Sequence, residues 1–316
     1  MKNLLLILTI LLLSGSTMLF AQNESNAAGN SDPADSTITD EFNLDNDFPF
    51  DFCIPGWPKP KSEAKYLDHH APTMEFLYGK TQSTLATIPH FADNFNLEAR
   101  LGTTTTKVIS NSDYVVKYSF NYISLNHVNE ALGTATGNQT DVIGTKSWRV
   151  TLSGNDGYGW KVGKESAIIL YHGDGMAWNS IKFTDTLQTF AENVPLRTLS
   201  DGVRFGQQYE GGIKIKVFKY LTIGAGYETN QIYPRFLFWK WAGSGLIEGA
   251  GHGMADWFIG KVKKSSPAIV PVVDFLLHNA INFGMYELRK NDMNWPFDTA
   301  DPFVQNNFKV SMGFTF

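Results

Sequence analysis

Residues 308–316 read Phe308-Lys309-Val310-Ser311-Met312-Gly313-Phe314-Thr315-Phe316. Every second residue is apolar, and the residues between are Lys, Ser, Gly and Thr. Successive side chains of a strand point to opposite faces, so this stretch specifies a strand with one oily and one polar face. The hairpin from Val203 to Glu228 repeats the pattern. Val203, Phe205, Tyr209, Ile213, Ile215 and Val217 share one parity, while Arg204, Gly206, Gln208, Glu210, Gly212, Lys214 and Lys216 share the other. Phe218-Lys219-Tyr220 makes a tight turn, after which Leu221, Ile223, Ala225 and Tyr227 alternate with Thr222, Gly224, Gly226 and Glu228. The first of these strands, about fifteen residues, is longer than the ~9–11 that cross a bilayer.

Other segments carry the same signal. Met74, Phe76 and Tyr78 alternate with Glu75 and Gly79, and Leu97, Ala99 and Leu101 with Glu98 and Arg100. Tyr114, Val116, Tyr118, Phe120 and Tyr122 alternate with Lys117, Ser119 and Asn121, which places the aromatics outside and Lys117 inside. Trp148, Val150 and Leu152 alternate with Arg149, Thr151 and Ser153, and Trp160 and Val162 flank Lys161. Ala167 to Tyr171 is a continuous apolar run, and Leu237-Trp241 and Ile281-Met285 also alternate. These segments predict an all-β, antiparallel barrel of about ten strands, within a range of ~8–12, since even numbers are usual.

The other end of the chain has the form of a secretory leader. Lys2 precedes an apolar run from Leu4 to Leu13, and small residues lead to a cut after Ala21. The run is too short to span a bilayer. Residues 1–21 are therefore expected to be a signal peptide. Residues 22–61 read as a disordered acidic segment: there is no Lys or Arg from residue 3 to residue 57, and Asp and Glu recur from Glu24 to Asp51. Asp45-Asn46-Asp47 lacks the following Gly and closing Glu of a calcium loop. Residues 62–316 are the expected barrel. Cys53 is the single cysteine, which rules out an intrachain disulfide, and it is given no role.

The aromatic end at Phe316 resembles the C-terminal signal of Gram-negative outer-membrane β-barrel proteins, which the insertion machinery recognises. The resemblance is to the class and to no specific family. It implies a bacterial outer-membrane location, outer-membrane lipid and the insertion machinery as partners, and a monomer. Composition agrees with a barrel: charged residues are 18%, aromatics 14%, and mean hydropathy is −0.18. Alternating strands hide from hydropathy. A net charge of −5 gives no support for nucleic-acid binding.

The inward parity holds Glu75, Glu98, Glu210 and Glu228 against Arg100, Lys117, Arg149, Arg204, Lys214, Lys216 and Lys309. Mixed charges in so narrow a barrel should pair and fill the lumen. A sharper reading is a porin-like, slightly basic channel lined by Arg204, Glu210, Lys214, Lys216, Glu228 and Lys309. Tyr114, Trp148, Trp160, Tyr209, Tyr227, Trp239, Trp241 and Phe316 are candidates for interfacial belts.

Residues 242–280 break the rhythm. Gly243-Ser244-Gly245 and Gly249 to Gly253 read as loops, Asp256 to Lys264 as an amphipathic helix, and Ser265-Ser266-Pro267 as a helix start. This helical insertion belongs to one long loop, and a second short helix is expected at Asp185 to Asn193. Asp274 and His278 lie four apart on one helical face. They offer half of a hydrolase triad, with Ser244, Ser265 and Ser266 nearby in sequence, but no recognised strand motif accompanies them. Asp68-His69-His70 lacks a third metal ligand, His172-Gly173-Asp174-Gly175 reads as a turn, and His90, His127 and His252 are isolated. The expectation is a structural or accessory outer-membrane barrel or narrow channel, with no catalytic, cofactor or metal residues assigned. The alternative is a lipid-active hydrolase with its site near residues 265–282.

Overall fold

The computed structural model describes residues 66–86, 91–129, 143–184 and 194–316. The expected leader, the acidic segment and the helix at Asp185–Asn193 lie outside the described residues. Eight antiparallel strands close on themselves in sequence order: β1 (Tyr66–Thr84), β2 (Asn94–Val108), β3 (Val115–Asn129), β4 (Gly144–Lys161), β5 (Ala167–Thr184), β6 (Val203–Phe218), β7 (Leu221–Ile232) and β8 (Phe303–Thr315). The count is the lower end of the expected range. The reason is that two of the alternating segments, Leu237–Trp241 and Ile281–Met285, are helical: they fall within or at the start of α2 (Phe238–Ser265) and α3 (Val270–Arg289). A short helix, α1 (Val194–Ser200), precedes β6.

β1 pairs with both β2 and β8, and Val310 lies opposite Tyr78 on one side and Ala225 on the other. Closure leaves no free sheet edge. Outward-facing Phe308, Val310, Met312 and Phe314 are exposed, whereas Lys309 between them is buried. The same apolar outer surface continues through Phe76, Leu97, Leu101, Ile123, Leu125, Ile213, Ile215 and Ile223. A folded chain with its oily residues outside and its charges inside is built for lipid rather than water.

The lumen is filled in layers. Towards the end that carries α1, Leu85, Ile143, Ile181, Leu196, Leu199, Ile232 and Phe303 form an apolar plug. Towards the opposite end, Val108, Val116, Tyr118, Phe120, Tyr122, Ala167 and Ile169 form another. Between them lies a network of ionised groups. Arg100 donates to Glu98 at 2.8 Å, to Glu210 at 2.6 Å and to Glu75 at 3.4 Å. Lys214 pairs with Glu75 at 2.9 Å, Arg149 with Glu228 at 2.7 Å, and Lys309 with Glu98 at 2.7 Å and also with Glu228. Among the described residues four acids thus face four bases, so the layer is balanced. Tyr171 and Asn307 donate to Glu210 and Glu228, each at 2.7 Å. Lys216 pairs with Asp68 nearer the second plug. The space beside this pair is a cavity of about 10 Å³, roughly the room of one water.

One assignment of parity and one of position are corrected. β3 is inverted relative to expectation: Tyr118, Phe120 and Tyr122 point inward, where Arg100 lies 4.5 Å from the Tyr122 ring and Lys214 lies 4.9 Å from that of Phe120. Cation–π contact gives these rings a reason to face a charged interior. Lys117 consequently faces outward. Arg204 does not join the network either; at the barrel mouth it donates to the Asp201 carbonyl at 2.7 Å.

Candidate functional site under the helical hairpin

α2 and α3 form an antiparallel hairpin that lies against the outer wall of the barrel. Its glycines, expected to make loops, lie inside α2. Of these, Gly243 has a packing reason, since a Cβ there would meet the Phe297 ring at 2.9 Å. Pro267 starts a single 3₁₀ turn and Pro271 falls in the first turn of α3, where no backbone N–H is needed. At the tip, outward-facing Val115 and Tyr158 pack with Ala255, Ile259 and Val270, and Trp160 donates its indole N–H to the Ala268 carbonyl at 2.9 Å. Near the base, Arg289 donates to Glu248 at 2.8 Å, to Ser244 at 2.9 Å, to Gln207 at 3.2 Å and to the Tyr209 hydroxyl. Tyr209, expected in an aromatic belt, is therefore buried beneath the hairpin. At Gly211 the wall receives a side chain of α3: a Cβ would lie 2.1 Å from the Asn279 amide oxygen.

Between these anchors the interface is polar. Inversion of β3 turns Lys117, Ser119 and Asn121 outward, and the alternation of β4 and β5 turns Asp156 and His172 outward with them. The segment His172-Gly173-Asp174-Gly175 is the middle of β5, not a turn, because Gly173 and Gly175 pack inward against Asn155 and Ser153. The hairpin places its own polar residues over this seam. Asp274 and His278 come from α3, and His252 and Asp256 from α2; each pair is four residues apart on one face.

Three imidazoles stack in a row. The His172 and His278 ring centroids are 4.0 Å apart at an interplanar angle of 12°, and those of His252 and His278 are 5.0 Å apart at 10°. His278 Nδ1 lies 2.7 Å from His252 Nδ1, so one of the two rings donates an N–H to the other. On the opposite side of its ring, His278 Nε2 faces Asp256 Oδ1 at 3.2 Å and Asp274 Oδ1 at 3.8 Å. His172 Nε2 is 3.6 Å from Asp274 Oδ2. Asp274 and His278 are buried, and Lys117 and Asp156 are near enough to act electrostatically on Asp274. Asp256 is the open side of the cluster, with its side chain 68% exposed.

Of the residues singled out in the sequence, Asp274 and His278 are brought into this cluster. Glu210, Lys214, Lys216, Glu228 and Lys309 are instead buried in the lumen. The serines near them in sequence take other partners: Ser244 accepts from Arg289, and Ser265 donates to the carbonyls of Lys261 and Val262. Sequence reading missed His172, His252, Asp156 and Asp256. A signal for two of them was present: His252 and Asp256 repeat, in reversed order, the four-residue spacing of Asp274 and His278.

No family model matches the chain, and no curated protein matches it. Among solved structures, Neisserial surface protein A (NspA) aligns at 8% identity and a TM-score of 0.32, over 78% of this chain and 96% of that one. Ail, the attachment invasion locus protein of Yersinia pestis, aligns at 9% identity and a TM-score of 0.25, over 78% of this chain and 97% of that one. Ail in complex with the heparin analogue sucrose octasulfate aligns at 10% identity and a TM-score of 0.27, over the same shares.

Proposed function

We propose that this chain is an integral outer-membrane barrel whose lumen is structural and whose working surface is the outer wall beneath the hairpin, where it hydrolyses an ester or phosphoester bond of an amphiphilic lipid. The observation that carries this reading is the mouth of the cluster. Asp256, the exposed acid beside His278, is flanked by exposed Met254, Trp257 and Phe258. A molecule that reaches this carboxylate past three apolar side chains comes from the lipid phase, with its polar linkage at that depth. An apolar groove of about 280 Å³, between Phe275 and the wall residues Leu170, Gly211, Ile213, Tyr227 and Phe308, gives acyl chains a second place against the hairpin.

Charge placement supports a hairpin inside the bilayer. Lys240 near the start of α2 and Lys261 near its end are separated by roughly 30 Å of helix, about the thickness of a hydrocarbon core. Between them stand only Glu248, which is buried against Arg289, and the site residue Asp256. By length and composition the helical stretch Pro267–Arg289 is long and apolar enough to cross as well.

In the reaction proposed, a water beside the exposed Asp256 gives its proton to that carboxylate while its oxygen bonds to the ester carbon or phosphorus. The bond to the leaving oxygen then breaks, and that oxygen takes the proton. The filled, charge-balanced lumen supports a structural barrel over a channel. The test is the purified full chain in vesicles of outer-membrane lipid, with lipids followed by mass spectrometry. Turnover should appear with wild type and fall at least about 100-fold in His278→Ala and Asp256→Asn. Intact lipids with folded wild-type protein would refute the hydrolase reading.

A further inference from the structure

We propose that His172, His278 and Asp274 bind a zinc-like divalent cation, with Asp256 beside an open coordination position. This deepens the reading of the same site, although the geometry behind it stands apart from any lipid substrate. One nitrogen from each histidine and one carboxylate oxygen lie within 4.8 Å of one another. The separations from Asp274 to the two imidazoles, 3.6 and 3.8 Å, are too long for hydrogen bonds. The first runs to Oδ2 and the second to Oδ1, and each is a few tenths of an ångström longer than the spacing of two ligands on one tetrahedral zinc, about 3.3 Å for metal–ligand bonds of ~2.0–2.1 Å.

A second observation points the same way. Asp274 is buried, and its Oδ2, the oxygen nearer His172, has no hydrogen-bond partner. A buried carboxylate oxygen aimed at an imidazole nitrogen and hydrogen-bonded to no protein group is costly unless something positive is shared between them. The contact at the far side of the His278 ring fits the same role. When His278 Nδ1–H donates to His252 Nδ1, the Nε2 lone pair is left bare towards Asp274 and Asp256. A second hydrogen bond of this kind commonly sets the tautomer of a metal-ligating histidine. Three protein ligands with a fourth position open is the pattern of a catalytic rather than a structural site. A water there would lose its proton to Asp256, which lies 3.2 Å from His278 Nε2 and faces the lipid side.

The decisive experiment is direct metal binding by the full chain in detergent, with no lipid assay involved. A His69→Ala/His70→Ala background removes the other paired histidines. After chelator treatment, zinc is titrated in competition with a chromophoric chelator, and cobalt(II) is added separately for its visible absorption. The expected result is one equivalent of zinc per chain and an intense tetrahedral cobalt spectrum. His172→Ala and His278→Ala should each weaken binding at least 100-fold. His127→Ala, whose ring stacks on Trp148 elsewhere on the wall, should leave it unchanged. Asp256→Asn should keep the stoichiometry, and heat-modifiable gel mobility reports that each variant is folded. A folded wild type that takes up no stoichiometric zinc would overturn the proposal, as would equal binding by the His172→Ala and His278→Ala variants. Zinc bound without lipid turnover would sink the hydrolase reading and leave the metal site standing. Turnover by a chain that binds no zinc would do the reverse.

Discussion

Arg100 shows what a single residue does inside this barrel. Its guanidinium is fully buried and meets Glu98, Glu210 and Glu75, with the Tyr122 ring beneath it. Burying ions costs several kcal/mol each, and the network offsets that cost only while every member is paired. Arg100→Ala should therefore cost about 3–5 kcal/mol, because it leaves three carboxylates short of a partner. Urea unfolding in lipid vesicles measures this; a loss under about 1 kcal/mol would mean that the network does not hold the lumen as described. The same logic explains why the charges were legible in the sequence. Glu98, Arg100, Glu210, Lys214, Glu228 and Lys309 alternate with apolar neighbours, and alternation alone assigns them to one face. Lys117 was not legible in this way, because its strand is aromatic on the face that turns out to be internal.

At the scale of elements, the inverted β3 and the α2–α3 hairpin depend on one another. Lys117, pointing out of a lipid-facing wall, is tolerable only if something polar lies near it, and the hairpin brings Asp274 within electrostatic reach. Gly211 leaves room for the Asn279 side chain against the wall. Gly211→Val should push Asn279 and α3 away while β6 stays paired. The expected result is a barrel that keeps its heat-modifiable mobility and a hairpin that is cleaved several-fold faster by protease in detergent. Unchanged cleavage would show that the contact at Gly211 does not govern docking.

The strands of the fold were readable from period-two alternation, and the closing strand Phe308–Phe316 most clearly. The hairpin was half readable. Pro267 and the apolar run after it marked α3, but Gly243, Gly249, Gly251 and Gly253 disguised α2 as loop. Gly243 packs against the Phe297 ring and Gly251 against Ile281, so tertiary contact overrides propensity at those two positions, while Gly249 and Gly253 face open space. The site was least readable, since it joins β5, α2 and α3, and nothing local in the sequence brings His172 to within reach of His278.

For the whole molecule, apolar plugs at both ends and a balanced ionic layer between them predict an electrically silent barrel. Planar bilayer recordings should show no discrete steps from folded protein; reproducible anion-selective steps would contradict a closed lumen. In the proposed arrangement this closed barrel carries its hairpin within the bilayer, so that the His/Asp cluster opens to lipid. A variant keeping Trp257 as its only tryptophan tests that directly, because Trp257 is 67% exposed on the outer face of α2 beside Asp256. In vesicles, its fluorescence should be strongly quenched by lipids brominated in their acyl chains and left unchanged by aqueous iodide. Quenching by iodide with no effect of brominated lipid would place the hairpin in water and contradict the account.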